Sequence, residues 1–85
     1  MKLFIVYTKD EMILSKREYE CWREIQNDFY DYKTSLGPWE DDEVINYLES
    51  DYPDLYPSAC DQVNNLKGSG HFEIVLSFKN SNVTE

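Results

Sequence analysis

Eighty-five residues carrying 17 acids against 8 bases, a formal charge of −9, make one small acidic domain, because a chain this short buries only roughly 60–65% of its unfolded surface and does not divide into two cores. Seven Tyr, four Phe and two Trp supply the bulky groups that such a core needs, and they argue against disorder. No run approaches the roughly 20 apolar residues of a membrane span, and the apolar start at residues 3–7 is too short for a signal-peptide core, so a soluble, cytoplasmic protein is expected.

Residues 2–8 read as a strand, β-branched and aromatic, apolar on both faces in the middle. A polar turn at residues 9–11 follows. Met12, Ile13 and Leu14 suit either a short return strand or the lead-in to a helix.

A first helix is expected from Ser15 onward. Ser15 and Glu18 have capping-box spacing, and Leu14 and Tyr19 stand at the two positions of a hydrophobic staple. Tyr19, Trp22, Ile25, Phe29 and Tyr32 then recur at steps of three and four, an apolar stripe with Cys21 beside it. Residues 34–38 end this helix, Gly37 acting as cap or turn and Pro38 opening the next helix.

A second helix is expected over residues 39–50, with Val44, Ile45 and Leu48 on its buried face and Tyr52 as a further candidate for it. Glu40, Asp41, Asp42 and Glu43 crowd its first turn, where negative charge meets the positive end of the helix dipole. Pro53 and Pro57 keep residues 51–57 irregular. Ser58 and Asp61 repeat the capping spacing before a short third helix over residues 59–67, which buries Cys60, Val63 and Leu66 and stops at Gly68. Gly68, Ser69 and Gly70 form a hinge into a final strand, where Phe72, Ile74, Leu76 and Phe78 alternate with Glu73, Val75, Ser77 and Lys79.

The expected order is β(β)αααβ: an α+β fold, a small two-layer sandwich in which two or three helices cover one face of a two- to three-stranded antiparallel sheet, with the first and last strands paired. A hairpin over residues 63–78 in place of the third helix is the competing arrangement. Residues 1–79 form the domain and residues 80–85 a disordered tail.

Residue types argue against catalysis. Cys21 and Cys60 read as buried, reduced thiols. With His71 they offer no metal-ligand spacing, and the acid run 40–43 lacks the alternating ligands and glycine of a calcium loop. The surroundings of Cys60 are acidic, which opposes thiolate formation. No glycine loop cradles phosphate, so neither an enzyme nor a cofactor is expected.

The charge is uneven. No Lys or Arg lies between Lys33 and Lys67, and residues 34–66 hold eight acids: Glu40, Asp41, Asp42, Glu43, Glu49, Asp51, Asp54 and Asp61. Such a segment repels nucleic acid and attracts a basic protein. The expected partner is therefore a nuclease or other nucleic-acid-binding protein, with neither membrane nor direct nucleic-acid binding. Glu40, Asp41, Asp42, Glu43, Glu49, Asp51 and Asp54 would present carboxylates where phosphates lie, with Trp39, Tyr47, Tyr52 and Tyr56 as contact anchors. In size, charge and lack of catalytic motifs the chain is similar to phage-encoded anti-CRISPR and anti-restriction proteins, uracil-DNA glycosylase inhibitors and nuclease immunity proteins. That similarity implies an intracellular inhibitor acting in evasion of host defence. The alternative is a small adaptor or structural subunit that binds a protein through exposed Tyr and Trp.

Overall fold

The strand at the start of the chain is the middle of the molecule. The computed structural model describes residues 1–79, with β1 (Lys2–Thr8), β2 (Met12–Ser15), α1 (Trp22–Asp28), β3 (Tyr32–Glu40), α2 (Asp41–Asp51), α3 (Ala59–Gly68) and β4 (Glu73–Val75). The expected tail at residues 80–85 lies outside the described residues. Four strands, all paired antiparallel, form one sheet in the order β3-β1-β2-β4.

The α+β class stands, with three helices and a four-stranded sheet in place of the expected two or three strands. The final strand pairs with β2, Leu14 opposite Ile74, and not with β1. Met12, Ile13 and Leu14 belong to a return strand that separates the two. The third helix forms, which excludes the competing hairpin over residues 63–78.

Alternation along β1 explains why the sheet is covered on both sides. Leu3 and Ile5 point to one face and join Leu14, Val44, Leu48, Val63 and Leu66 in the main core. Phe4 and Val6 point to the other and meet Ile13 and Ile25 in a smaller cluster. Thus α2 and α3 cover one face while α1 lies on the other, and the expected two layers become three.

The first helix is the largest correction. It spans only Trp22–Asp28, and Ile25 is its one buried residue. Ser15 does not cap it: the side chain is buried in β2, where its Oγ accepts from the Arg17 amide at 3.2 Å. Trp22, placed on the core stripe by its spacing, is 55% exposed. Tyr19, Phe29 and Tyr32 do pack against the smaller cluster, but from outside the helix. Apolar spacing thus identified the right cluster with the wrong backbone, because residues 32–40 satisfy the free edge of β1 by forming β3.

Gly37 and Pro38 accordingly end no helix and start none. They lie inside β3, where Leu3 pairs with Trp39 and Ile5 with Leu36, so two residues bulge opposite Phe4. Gly37 has φ +115, and a Cβ there would stand 2.6 Å from the Leu3 carbonyl oxygen. Pro38 lacks a donor and is tolerated because β3 is an edge strand.

The later helices match expectation closely. In α2, Val44 and Leu48 are fully buried, with Ile45 packed alongside. Ser58 caps α3, its Oγ accepting from the Asp61 amide at 3.2 Å, and the helix ends at Gly68. Ala59, Gln62, Val63 and Leu66 form its buried face. Cys60 turns outward, and both Cys21 and Cys60 are free and exposed, contrary to the buried thiols expected. In the final segment Leu76 is buried and Ile74 and Phe78 half-buried, while Phe72 is 52% exposed beneath the Arg17 guanidinium.

Candidate acidic interface

The N-terminus of α2 is capped by carboxylates. Glu40 occupies the N-cap, its amide donating to Glu43 Oε1 at 3.0 Å, while the Glu43 amide donates to Asp42 Oδ1 at 3.0 Å. Asp41, Asp42 and Glu43 fill the first turn, where the dipole favours them.

Tertiary contacts neutralise two of these acids. Lys2 Nζ lies 3.2 Å from Glu40 Oε2, and the N-terminal ammonium lies 3.2 Å from Glu40 Oε1 and 3.8 Å from Asp41 Oδ1. Lys67, from the end of α3, donates to Asp41 Oδ2. Hydrogen bonds from Lys2 and the N-terminus hold the Glu40 carboxyl below the usual carboxylate range, and the Lys67 contact does the same for Asp41.

Asp42, Glu43, Glu49, Asp51, Asp54 and Asp61 make no ion pair among the described residues. Asp42, Asn46 and Glu49 follow one another at steps of four and three along the exposed side of α2, opposite Val44 and Leu48. At 1.5 Å rise per residue, Asp42 and Glu49 stand about 10 Å apart along the axis. Glu43 and Ser50 flank them and Asp51 ends the helix. The unpaired surplus therefore extends from the outer side of α2 into the connection after it.

Two of those carboxylates sit where the helix disfavours them. Glu49 and Asp51 occupy the last turn of α2, next to its free carbonyls, and no basic residue shares that turn. An acid there works against the macrodipole by about 0.3–1 kcal/mol when exposed.

The aromatic residues of the segment divide differently. Trp39, Tyr47 and Tyr52 are half-buried against the main core, linked edge-to-face with ring centroids 5.3 Å apart (Trp39 and Tyr47) and 6.1 Å apart (Tyr47 and Tyr52). The hydroxyls of Tyr47 and Tyr52 lie 3.0 and 3.1 Å from that of Tyr7, on β1. Tyr56 alone among the four is well exposed, at 68%.

The connection is tied down through Gln62. Its buried amide donates to the carbonyls of Pro57 at 2.7 Å and Ser77 at 3.0 Å, and accepts from the Ser77 amide at 2.9 Å. The Tyr56 amide donates to Ser77 O at 3.1 Å and the Lys79 amide to Asp54 O at 2.8 Å. Residues 54–57 are thus held against the segment after β4, so Asp54 and Tyr56 sit on a fixed backbone.

Sequence reasoning missed Lys2, Lys67 and Tyr7, which lie outside the acidic run and reach it only through the fold. Among the described residues no group of three or more His, Cys, Asp or Glu converges as a metal site would require, and no helix is long and apolar enough to cross a membrane. Compared with protein-family models, curated proteins and solved structures, the chain matches none.

Proposed function

We propose that this protein is a non-enzymatic inhibitor that occupies the basic nucleic-acid-binding surface of a nucleic-acid-processing protein, in the manner of an anti-CRISPR or anti-restriction DNA mimic. The observation that carries the reading is the last turn of α2, where Glu49 and Asp51 stand at the negative end of the dipole without a cation. Folding gains nothing from acids at that place, whereas a cationic partner does. Asp42 and Glu49 on the outer side of the helix, with Asp54 and Tyr56 on the anchored connection, extend the same surface. The adaptor reading has less support, because Trp39, Tyr47 and Tyr52 spend much of their area on the core.

The test is displacement of nucleic acid. A host protein retained on the immobilised chain and released by salt is loaded with labelled duplex DNA, and the free chain is added. It should release the DNA, more weakly as ionic strength rises. The Asp42→Lys/Glu49→Lys/Asp51→Lys variant should release none while keeping the circular dichroism of the wild type. Release by that variant equal to wild type sinks the charge reading. Loss confined to Tyr56→Ala would favour the adaptor.

A further inference from the structure

Across the sheet from α2 and α3, the segment leading into α1 leaves an open groove over β1 and β3. Its two adjoining parts, of about 550 and 290 Å³, share Phe4, Tyr19, Glu20 and Pro38 in their lining. That volume falls in the range of sites that enclose a side chain or small ligand. Phe4 and Tyr19 pack edge-to-face at 5.3 Å, and Pro38 stands exposed beside them. The floor is therefore apolar and aromatic.

The rim is acidic once internal pairs are set aside. Lys2 is engaged by Glu40 at 3.2 Å. Arg17 is engaged by Asp28 at 3.5 Å, with its guanidinium 4.4 Å from the Phe72 ring centroid. The lining also carries Glu18, Glu20 and Glu24, none of them in an ion pair among the described residues. Glu24 Oε1 accepts from the Glu20 amide at 2.9 Å, which holds that carboxylate near the groove with lone pairs to spare.

The geometry points to this groove as a docking site for a basic polypeptide segment, taking one arginine side chain with its stem on Phe4, Tyr19 and Pro38 and its guanidinium among Glu18, Glu20 and Glu24. Charge complementarity selects this occupant. A guanidinium combines a flat face for aromatic rings with a fork of donors for carboxylates, and its stem buries apolar area. A second copy is disfavoured, since a chain of net charge −9 would bring its own surplus against three carboxylates. The site lies on the opposite side of the sheet from the α2 surface and does not rest on the function proposed for it.

Full-length ¹⁵N-labelled protein titrated with acetyl-Gly-Arg-Gly-amide tests the site, with the isosteric citrulline peptide as the uncharged control. Saturating amide shifts are expected at residues 18–22 and at the Trp22 indole N–H. The citrulline peptide should bind at least about tenfold more weakly, since it keeps the shape and the N–H donors but lacks the positive charge that strengthens each bond to a carboxylate. Glu18→Gln/Glu20→Gln/Glu24→Gln keeps the acceptor for the Glu20 amide and should lose affinity to the same extent. The Asp42→Lys/Glu49→Lys variant should bind the peptide within about twofold of wild type, because a Debye length near 10 Å at 0.1 M salt screens the opposite face. Shifts that do not saturate, shifts centred on α2, equal binding of citrulline, or full affinity in the triple Gln variant would each overturn the assignment.

Discussion

The ammonium of Lys67, in the last turn of α3, donates to Oδ2 of Asp41, the first residue of α2. Lys67 is also the first cation after the acid-only run, so the fold turns the residue that ends the run back onto its beginning. Met1 and Lys2 arrive at the same helix end from β1. The surplus charge is thereby displaced from the capping acids toward the far end of α2.

Removing Lys67 should release Asp41. The contact holds the Asp41 carboxyl below its usual range. Its contribution to stability is therefore fully present above the unfolded value of about 3.9 and is lost as pH falls through the lower folded value. In a carboxyl-carbon NMR titration, Asp41 should have a depressed midpoint that rises toward the ordinary one in Lys67→Met. An unchanged midpoint would show that the ion pair does not form in solution.

The Tyr7 hydroxyl sits between those of Tyr47 and Tyr52, at 3.0 and 3.1 Å. Burial first, then these two hydrogen bonds, push its ionisation far above the ordinary range. Stability from this group is full below about pH 10 and declines as pH rises toward the raised folded value. Phenolate absorbance should lose its latest-ionising component in Tyr7→Phe, while Tyr19, pushed up to about 12 by burial, still ionises late. The substitution should cost about 1 kcal/mol in urea unfolding at neutral pH.

Gly37→Ala should destabilise more than its size suggests. With φ +115, the position disfavours any L side chain, and a Cβ would meet the Leu3 carbonyl oxygen at 2.6 Å and the Phe4 Cα at 3.2 Å. A loss of about 2 kcal/mol or more is expected from the backbone conformation and the clash together. Denaturant midpoints compared with Gly70→Ala, where a Cβ meets nothing within 4 Å, provide the internal control.

Gln62→Leu retains bulk at a position 4% exposed but strips the partner from the Ser77 amide and from Pro57 O, while Ser77 O keeps its bond from the Tyr56 amide. A loss of about 2 kcal/mol is expected, since each of the two part-buried groups left unpaired costs about 1 kcal/mol. Hydrogen exchange at the Ser77 amide should accelerate more than exchange in β1. Equal acceleration throughout would mean that Gln62 supports the whole fold rather than the connection that carries Asp54 and Tyr56.

Legibility followed the range of the interactions. The two later helices could be read nearly to their ends, because Ser58, Gly68 and the first-turn acids of α2 act on backbone groups a few residues away. The capping signal at Ser15 and Glu18 was equally local, yet the ladder between β1 and β2 overrode it by placing Phe4 opposite Ser15. A clue to cover on both faces was present in Leu3, Phe4, Ile5 and Val6, all buried. A half-solvated strand would alternate, and this one does not.

The acidity of residues 34–66 and the absence of any cation among them belong to the sequence alone, and no fold alters them. Which of those acids remain free is a tertiary outcome. Lys67 and Asp41 are 26 positions apart, and Tyr7 and Tyr52 are 45 apart. Contacts at such separations form only after the sheet has ordered its strands, because closing those loops costs entropy that no local signal offsets. Composition therefore determined that the protein carries a cation-free acidic stretch. The packing of α2 between β1 and α3 decided that Glu40 and Asp41 are neutralised while Asp42, Glu49 and Asp51 make no ion pair among the described residues.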